Sequence, residues 1–225
     1  MRRGARDVDS EPMSILSRPS ATDLLLVIDV QNDFCPDGSL AVPGGDEIVP
    51  LINRIASGFA HVVLTQDWHP HDHLSFAVSH QAHKPFETIR LPYGMQMLWP
   101  EHCVQGTPGA EFHEGLDVPH AELIMRKGFR REIDSYSAFF ENDRRTRTGL
   151  AAYLHERGFK RVVLCGLAFD YCVRWSAEDA QHLGFDVVVV EDACRAIDTG
   201  TGLAETRTAL AQAGVTLIRS AAGVS

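Results

Sequence analysis

The sequence predicts a three-layer α/β/α domain in which helices flank a six-stranded parallel sheet. Short apolar, β-branched runs recur along the chain, segments of helical period separate most of them, and several of those segments end in glycine. A strand that returns through a helix pairs in parallel with its predecessor, and a parallel sheet needs cover on both faces.

In chain order, the strand-like runs lie at residues 24–30, 61–65, 122–126, 161–165, 186–190 and 215–218, all expected as buried strands. Helical period marks residues 46–58, 146–158, 173–184 and 202–214. Residues 66–117 break the pattern: they are rich in His, Pro, Gly and Trp with little periodicity, and are expected to be a structureless functional insertion. Residues 1–20 are polar, proline-containing and aperiodic, so they read as a flexible tail, or as an upstream start ahead of Met13, with the domain over 21–225.

At 225 residues, with 44% hydrophobic and 23% charged, the chain can bury a core as one domain. A formal charge of −9 repels a phosphate backbone, and Arg144, Arg145 and Arg147 are only a short local exception, so nucleic acid is not an expected partner. No apolar run reaches the roughly 20 residues that span a bilayer, and MRRGARDVDSEP lacks the apolar centre of a secretory signal. The expected location is the cytoplasm, away from membranes. Five cysteines, odd in number, widely spaced and without a CxxC pair, read as reduced thiols.

Ligands of such folds bind beyond the carboxyl ends of the strands, and the loops found there carry the unusual chemistry. After the first run, DVQNDFC puts Asp29 at the strand end and Asp33 four residues on. A carboxylate there can take a proton from a thiol and return it to a leaving amine, although Asp also serves turns and helix caps. After the second, TQDWHPHDHLSF and then WPEHCVQGTPGAEF offer Asp67, His69, His73 and His102, a donor set that suits Zn²⁺, Fe²⁺ or Mn²⁺. His71, His80 and His83 lie nearby, and spacing alone does not choose among them. After the third, MRKGF puts Lys127 at a strand end, where its ammonium would favour a thiolate; the plain alternative is a surface lysine. After the fourth, CGLAFDYCVRW sets Cys172 near a helix start, where backbone N–H groups depress a thiol pKa and bind an oxyanion. Cys165 reads as a buried strand residue, and Cys35, Cys103 and Cys194 as small packed hydrophobes.

The motifs DVQNDF, TQDWHP, DHLSF, WPEHCVQGTPGAEF, the Lys127 and Gly128 pair, and GLAFDYCV occur in this order over residues 24–218. In these the chain resembles the nicotinamidase branch of the isochorismatase-like cysteine hydrolases, whose fold is a Rossmann-like α/β/α sandwich. The resemblance implies a catalytic triad of Asp29, Lys127 and Cys172 and a divalent metal on Asp67, His69 and His102. His73 matches a position that is a ligand in some members only. It also implies a cis peptide before Ala168, an oxyanion hole from the N–H groups of Ala168 and Cys172, and a pyridine pocket lined by Phe34, Trp99 and Tyr136. The implied reaction is deamidation of nicotinamide to nicotinate and ammonia through a cysteine thioester, with pyrazinamide as a second substrate, in NAD salvage. Zn²⁺ is the first choice of metal, Fe²⁺ or Mn²⁺ the alternatives, and a homo-oligomer is compatible with the sequence. The rivals are an amidase of the same fold acting on a carbamoyl or ureido amide, an isochorismate hydrolase, and a catalytically silent metal-binding protein.

Overall fold

Runs of branched aliphatic residues build the sheet, because side chains buried on both faces need no polar alternation. In the computed structural model, which describes Leu16, residues 19–198 and residues 202–220, the expected tail lies outside the described residues except at Leu16, Pro19 and Ser20. In chain order, β1 (Asp23–Ile28), α1 (Val49–Ala56) and β2 (Val62–Asp67) are followed by a hairpin of β3 (Thr88–Leu91) and β4 (Gly94–Met97). Then come β5 (Leu123–Lys127), α2 (Leu150–Glu156), β6 (Arg161–Leu167), α3 (Arg174–His182), β7 (Asp186–Arg195), α4 (Gly202–Gln212) and β8 (Thr216–Ile218).

The six-stranded sheet has the order β5-β2-β1-β6-β7-β8, and all its pairings are parallel. From β1 the chain builds outward to β2 and β5 on one side and later to β6, β7 and β8 on the other. The crevice between those two directions of growth opens at the carboxyl ends of β1 and β6. Every residue of β1 and β2 is buried. Leu24, Leu25, Leu26 and Ile28, none more than 1% exposed, each contribute about 1.5–3 kcal/mol by leaving water. Helix α3 packs on β7 and α4, and α4 packs on β8.

Three expectations need correction. The outer strands are not buried: β5 alternates half-buried and exposed residues, with Ile124 50% exposed, and β8 begins exposed. An edge strand has one neighbour, so part of its surface stays in water. The insertion is not structureless, since β3 and β4 pair antiparallel from Thr88↔Met97 to Leu91↔Gly94 around a turn at Pro92 and Tyr93. Alternation over only four residues per strand is too short to register as a period. Finally, α3 does not start at Val173 but is preceded by a π-helical turn, Phe169–Val173, in which Val173 N–H donates to the Ala168 carbonyl. Such turns are wider than α and frequent at functional sites.

Candidate active site

Four adjacent strands end at one place. Parallel pairing in the order β5-β2-β1-β6 lines up their carboxyl termini, and these carry Lys127, Asp67, Asp29 and, one π-turn later, Cys172. Asp67 and Lys127 are direct register partners. Asp29 turns out of β1 with a left-handed φ of 47°, and its Oδ1 accepts a 2.6 Å hydrogen bond from Thr65 Oγ1.

Lys127 is the hub, and it is no surface lysine. It is 1% exposed, and its Nζ lies 2.8 Å from Asp29 Oδ2, 2.7 Å from Asp67 Oδ1, 2.9 Å from the Ser135 carbonyl and 3.4 Å from Cys172 Sγ. Burial alone would strip its proton, but the two carboxylates outweigh burial and hold it well above the ordinary lysine range. Burial likewise opposes ionisation of Asp67, yet Lys127 and His69 keep it well below the usual carboxylate range. Asp29 goes the other way: burial and the neighbouring Asp67 raise it against the pull of Lys127.

A further correction concerns Cys172. Burial pushes the thiol well above the usual range, outweighing the downward pull of Lys127, and Asp29 and Asp67 add to that rise, so the resting group is neutral. A neutral thiol needs a base at the moment of attack. A carboxylate oxygen of Asp29, one of Asp67 and Cys172 Sγ lie within 4.8 Å of one another, which puts a carboxylate of raised pKa beside it.

On its other oxygen, Asp67 faces two imidazoles: Oδ2 is 3.3 Å from His69 Nε2 and 3.7 Å from His102 Nε2. His69 Nδ1 donates to the Gly128 carbonyl and His102 Nδ1 to the Pro100 carbonyl, both at 2.8 Å. Those bonds make Nδ1 a donor in each ring and turn each Nε2 toward Asp67, the outer-shell arrangement of metal-binding histidines. The ligand atoms of Asp67, His69 and His102 lie within 4.8 Å of one another, so the three residues fit a divalent metal. Gly128, at φ +65°, permits this: a Cβ there would fall 2.4 Å from His69 Cε1. His73 is buried beside His69, but its Nδ1 accepts from Ser75 N–H at 3.1 Å, and it groups with His69 and Asp134 instead of with Asp67. Burial, with His69 adding, lowers it to about 4, so it is neutral near pH 7. Two other histidines of the loop are engaged elsewhere, His80 with the Leu74 carbonyl at 2.8 Å and His83 with Glu87 at 2.9 Å, and His71 is not in the group that fits a metal.

Above these groups is a tight, mostly apolar pocket. It is lined by Phe34, Trp99, Tyr136, Ala168 and Cys172 among the expected residues, together with Asp67 and His102. The Leu167–Ala168 peptide is cis. Trp99, Tyr136 and Tyr171 meet edge to face, with centroids 4.9–6.2 Å apart, and form an aromatic wall.

Sequence reasoning missed several participants. Tyr171 and Asp134 line the pocket, and the position of Tyr171 beside Cys172 was the available signal. Gln31 binds the ends of two strands, donating to the Asp67 carbonyl at 2.8 Å and accepting from Asp67 N–H at 2.8 Å. Asp33 pins the loop behind His102 by accepting from Cys103 N–H at 2.6 Å. No spacing rule points to either role.

Comparison with known proteins gives consistent matches. The isochorismatase domain family model matches residues 23–222. The chain is 55% identical over 196 residues to the nicotinamidase of Acinetobacter baylyi, covering 87% of this chain and 92% of that protein. The solved nicotinamidase/pyrazinamidase of Acinetobacter baumannii superposes with a TM-score of 0.89 at 52% identity, over 90% of this chain and 98% of its own. The pyrazinamidase of Pyrococcus horikoshii, solved in complex with zinc, superposes with a TM-score of 0.71 at 35% identity, over 88% and 99%.

Proposed function

Since this chain belongs to the isochorismatase domain family, we propose that its pocket deamidates nicotinamide to nicotinate and ammonia through a thioester on Cys172. The carrying observation is the single buried ammonium of Lys127, which touches Asp29, Asp67 and Cys172 at once beneath an aromatic slot. Similarity to nicotinamidases over most of the chain supports the substrate, with pyrazinamide as the second amide and NAD salvage as the context.

Asp29, ionised but raised, takes the proton of the neutral Cys172 as sulfur attacks the carboxamide carbon. The N–H groups of Ala168 and Cys172 receive the oxyanion. Asp29 returns the proton to the departing nitrogen, the C–N bond breaks and ammonia leaves. Asp29 then deprotonates a water that opens the thioester to nicotinate and restores the thiol. Lys127 keeps its proton throughout and holds Asp29 and Asp67 in place. Asp67, His69 and His102 would hold the divalent metal, and His73 serves as a neutral neighbour that supports His69. Bound there, a metal supplies a Lewis-acidic anchor for the ring nitrogen, directly or through water. Zinc is our assignment, supported by the Pyrococcus horikoshii relative. The five unpaired, buried thiols support a reducing, cytoplasmic setting.

Ammonia release from nicotinamide, pyrazinamide, carbamoylsarcosine and ureidoacrylate tests the reading; turnover confined to the last two would overturn it in favour of a carbamoyl or ureido amidase. The pH dependence follows from Asp29. A base works only when ionised, so kcat/KM is expected to fall as pH drops through a pKa above the ordinary carboxylate value of about 3.9. Lys127, raised, contributes no alkaline loss below about pH 10. An acid limb at or below the ordinary value would remove Asp29 from the role of base.

Chelation is expected to abolish turnover, and one divalent metal per chain to restore it. Gly128→Ala crowds the His69 ring and is expected to yield protein with less bound metal after identical purification, measured by elemental analysis. A wild-type metal content would mean that the His69 ring can shift without weakening the site.

A further inference from the structure

The hairpin carries a buried amide that the chemistry above does not use. Gln96, in β4, is 1% exposed, whereas its strand neighbours are half-buried or exposed. Its Nε2 offers two N–H groups to three acceptors: Asp134 Oδ2 at 2.8 Å, the Met97 carbonyl at 2.7 Å and the Tyr136 phenol oxygen at 3.0 Å. Its Oε1 accepts from the Tyr93 hydroxyl at 3.0 Å and from Asn142 Nδ2 at 3.1 Å. The neighbours fix which end of the amide is nitrogen, because the Met97 carbonyl can only accept and the Asn142 amide N–H can only donate.

These partners form the pocket's wall. Asp134 and Tyr136 both line it, and Ser135 between them gives its carbonyl to Lys127. Tyr136 belongs to the stretch 128–149, which connects β5 to α2 without a helix or strand of its own. Such a stretch depends on side-chain contacts to stay in place. Within it Tyr136 N–H donates to Asn142 Oδ1 at 3.0 Å, from β4 Gln96 reaches both Asp134 and Tyr136, and Trp99 Nε1 adds a 3.2 Å bond to the same phenol oxygen. A hydrogen bond to a buried carboxylate is among the stronger links available for this.

We propose that Gln96 is a positioning residue: its bond to Asp134 holds Tyr136 against Trp99 and so sets the width of the slot that grips a planar ring amide. The identity of that ring amide rests on the nicotinamidase reading; the clamp itself does not.

Exchanging donor and acceptor tests the bond. Gln96→Glu sets two carboxylates face to face, Asp134→Asn sets two amide N–H groups face to face, and the double variant restores one N–H···O bond in reverse. Each single variant is expected to raise KM for nicotinamide about tenfold, as for loss of one charge-assisted bond, with kcat changed far less. With metal content matched, each should also speed iodoacetamide alkylation of Cys172 at fixed pH as the wall loosens. The double variant should recover both. Wild-type KM and alkylation in the singles would overturn the proposal, as would a double variant no better than the worse single. Should the singles not fold, Tyr93→Phe removes the hydroxyl that donates to Gln96 Oε1 and accepts from Asp134 N–H at 3.4 Å, both contacts of the same clamp; a raised KM with an unchanged melting temperature supports the clamp, and an unchanged KM overturns it. Alkylation needs no substrate. Failure of the wild type to release ammonia from nicotinamide would therefore refute the substrate while leaving the clamp testable by alkylation.

Discussion

Cys172→Ala is expected to be a folded protein that releases no measurable ammonia from nicotinamide. Among the described residues the thiol is the only cysteine, serine or threonine side chain lining the pocket, within reach of Lys127 Nζ at 3.4 Å and of the Asp29 carboxylate, and a covalent step without its nucleophile has no substitute. Removing one sulfur opens only a small space at the edge of the core, so the melting temperature should move little. Substantial residual turnover would sink the thioester mechanism. Cys165→Ala is the control: Cys165 is wholly buried in β6 between β1 and β7, and its loss should lower the melting temperature while the remaining folded enzyme turns over. Inactivation of a well-folded Cys165→Ala would mean that the wrong thiol has been assigned.

Lys127→Met should reduce both turnover and stability. Loss of a well-placed electrostatic group is worth about 3 kcal/mol in the transition state, a factor on the order of a hundred or more. The thiol, already raised by burial, loses the positive charge that pulls it down, so its alkylation inflection should move to still higher pH. Sequence reasoning, treating Lys127 as a solvent-facing strand end, expects folding to be spared. The structure reverses that expectation. Asp29 and Asp67 are both buried against this ammonium, and removing one partner of a buried charge cluster typically costs about 3–5 kcal/mol. Without Lys127, burial acts on Asp29 and Asp67 without its main counterweight and pushes their pKa values up, so the variant should regain part of its stability at acidic pH, where protonation relieves the unpaired charge. Thermal melts across pH and alkylation of Cys172 measure the two effects. Near-normal turnover with unchanged alkylation would leave Asp29 alone to tune the thiol.

The chain itself determines which atoms are available and where along each strand they fall. Apolar runs and intervening helical segments made the parallel sheet legible, and with it the rule that strand ends carry the site; Asp29, Asp67, Lys127 and Cys172 could be picked out because each follows such a run. What these groups are as acids and bases could not be read that way. Protonation depends on burial and on charges brought near by partners 60 residues away for Lys127 and Asp67, and 45 for Lys127 and Cys172. Hence the thiol read as depressed is raised, and the lysine read as solvent-facing is the buried centre of the site. The choice among many histidines, the anchoring by Gln31 and Asp33, and the clamp from Gln96 to Asp134 likewise arise only when distant segments meet. Hydrogen-bond direction and desolvation are properties of those meetings, and only the tertiary structure decides them.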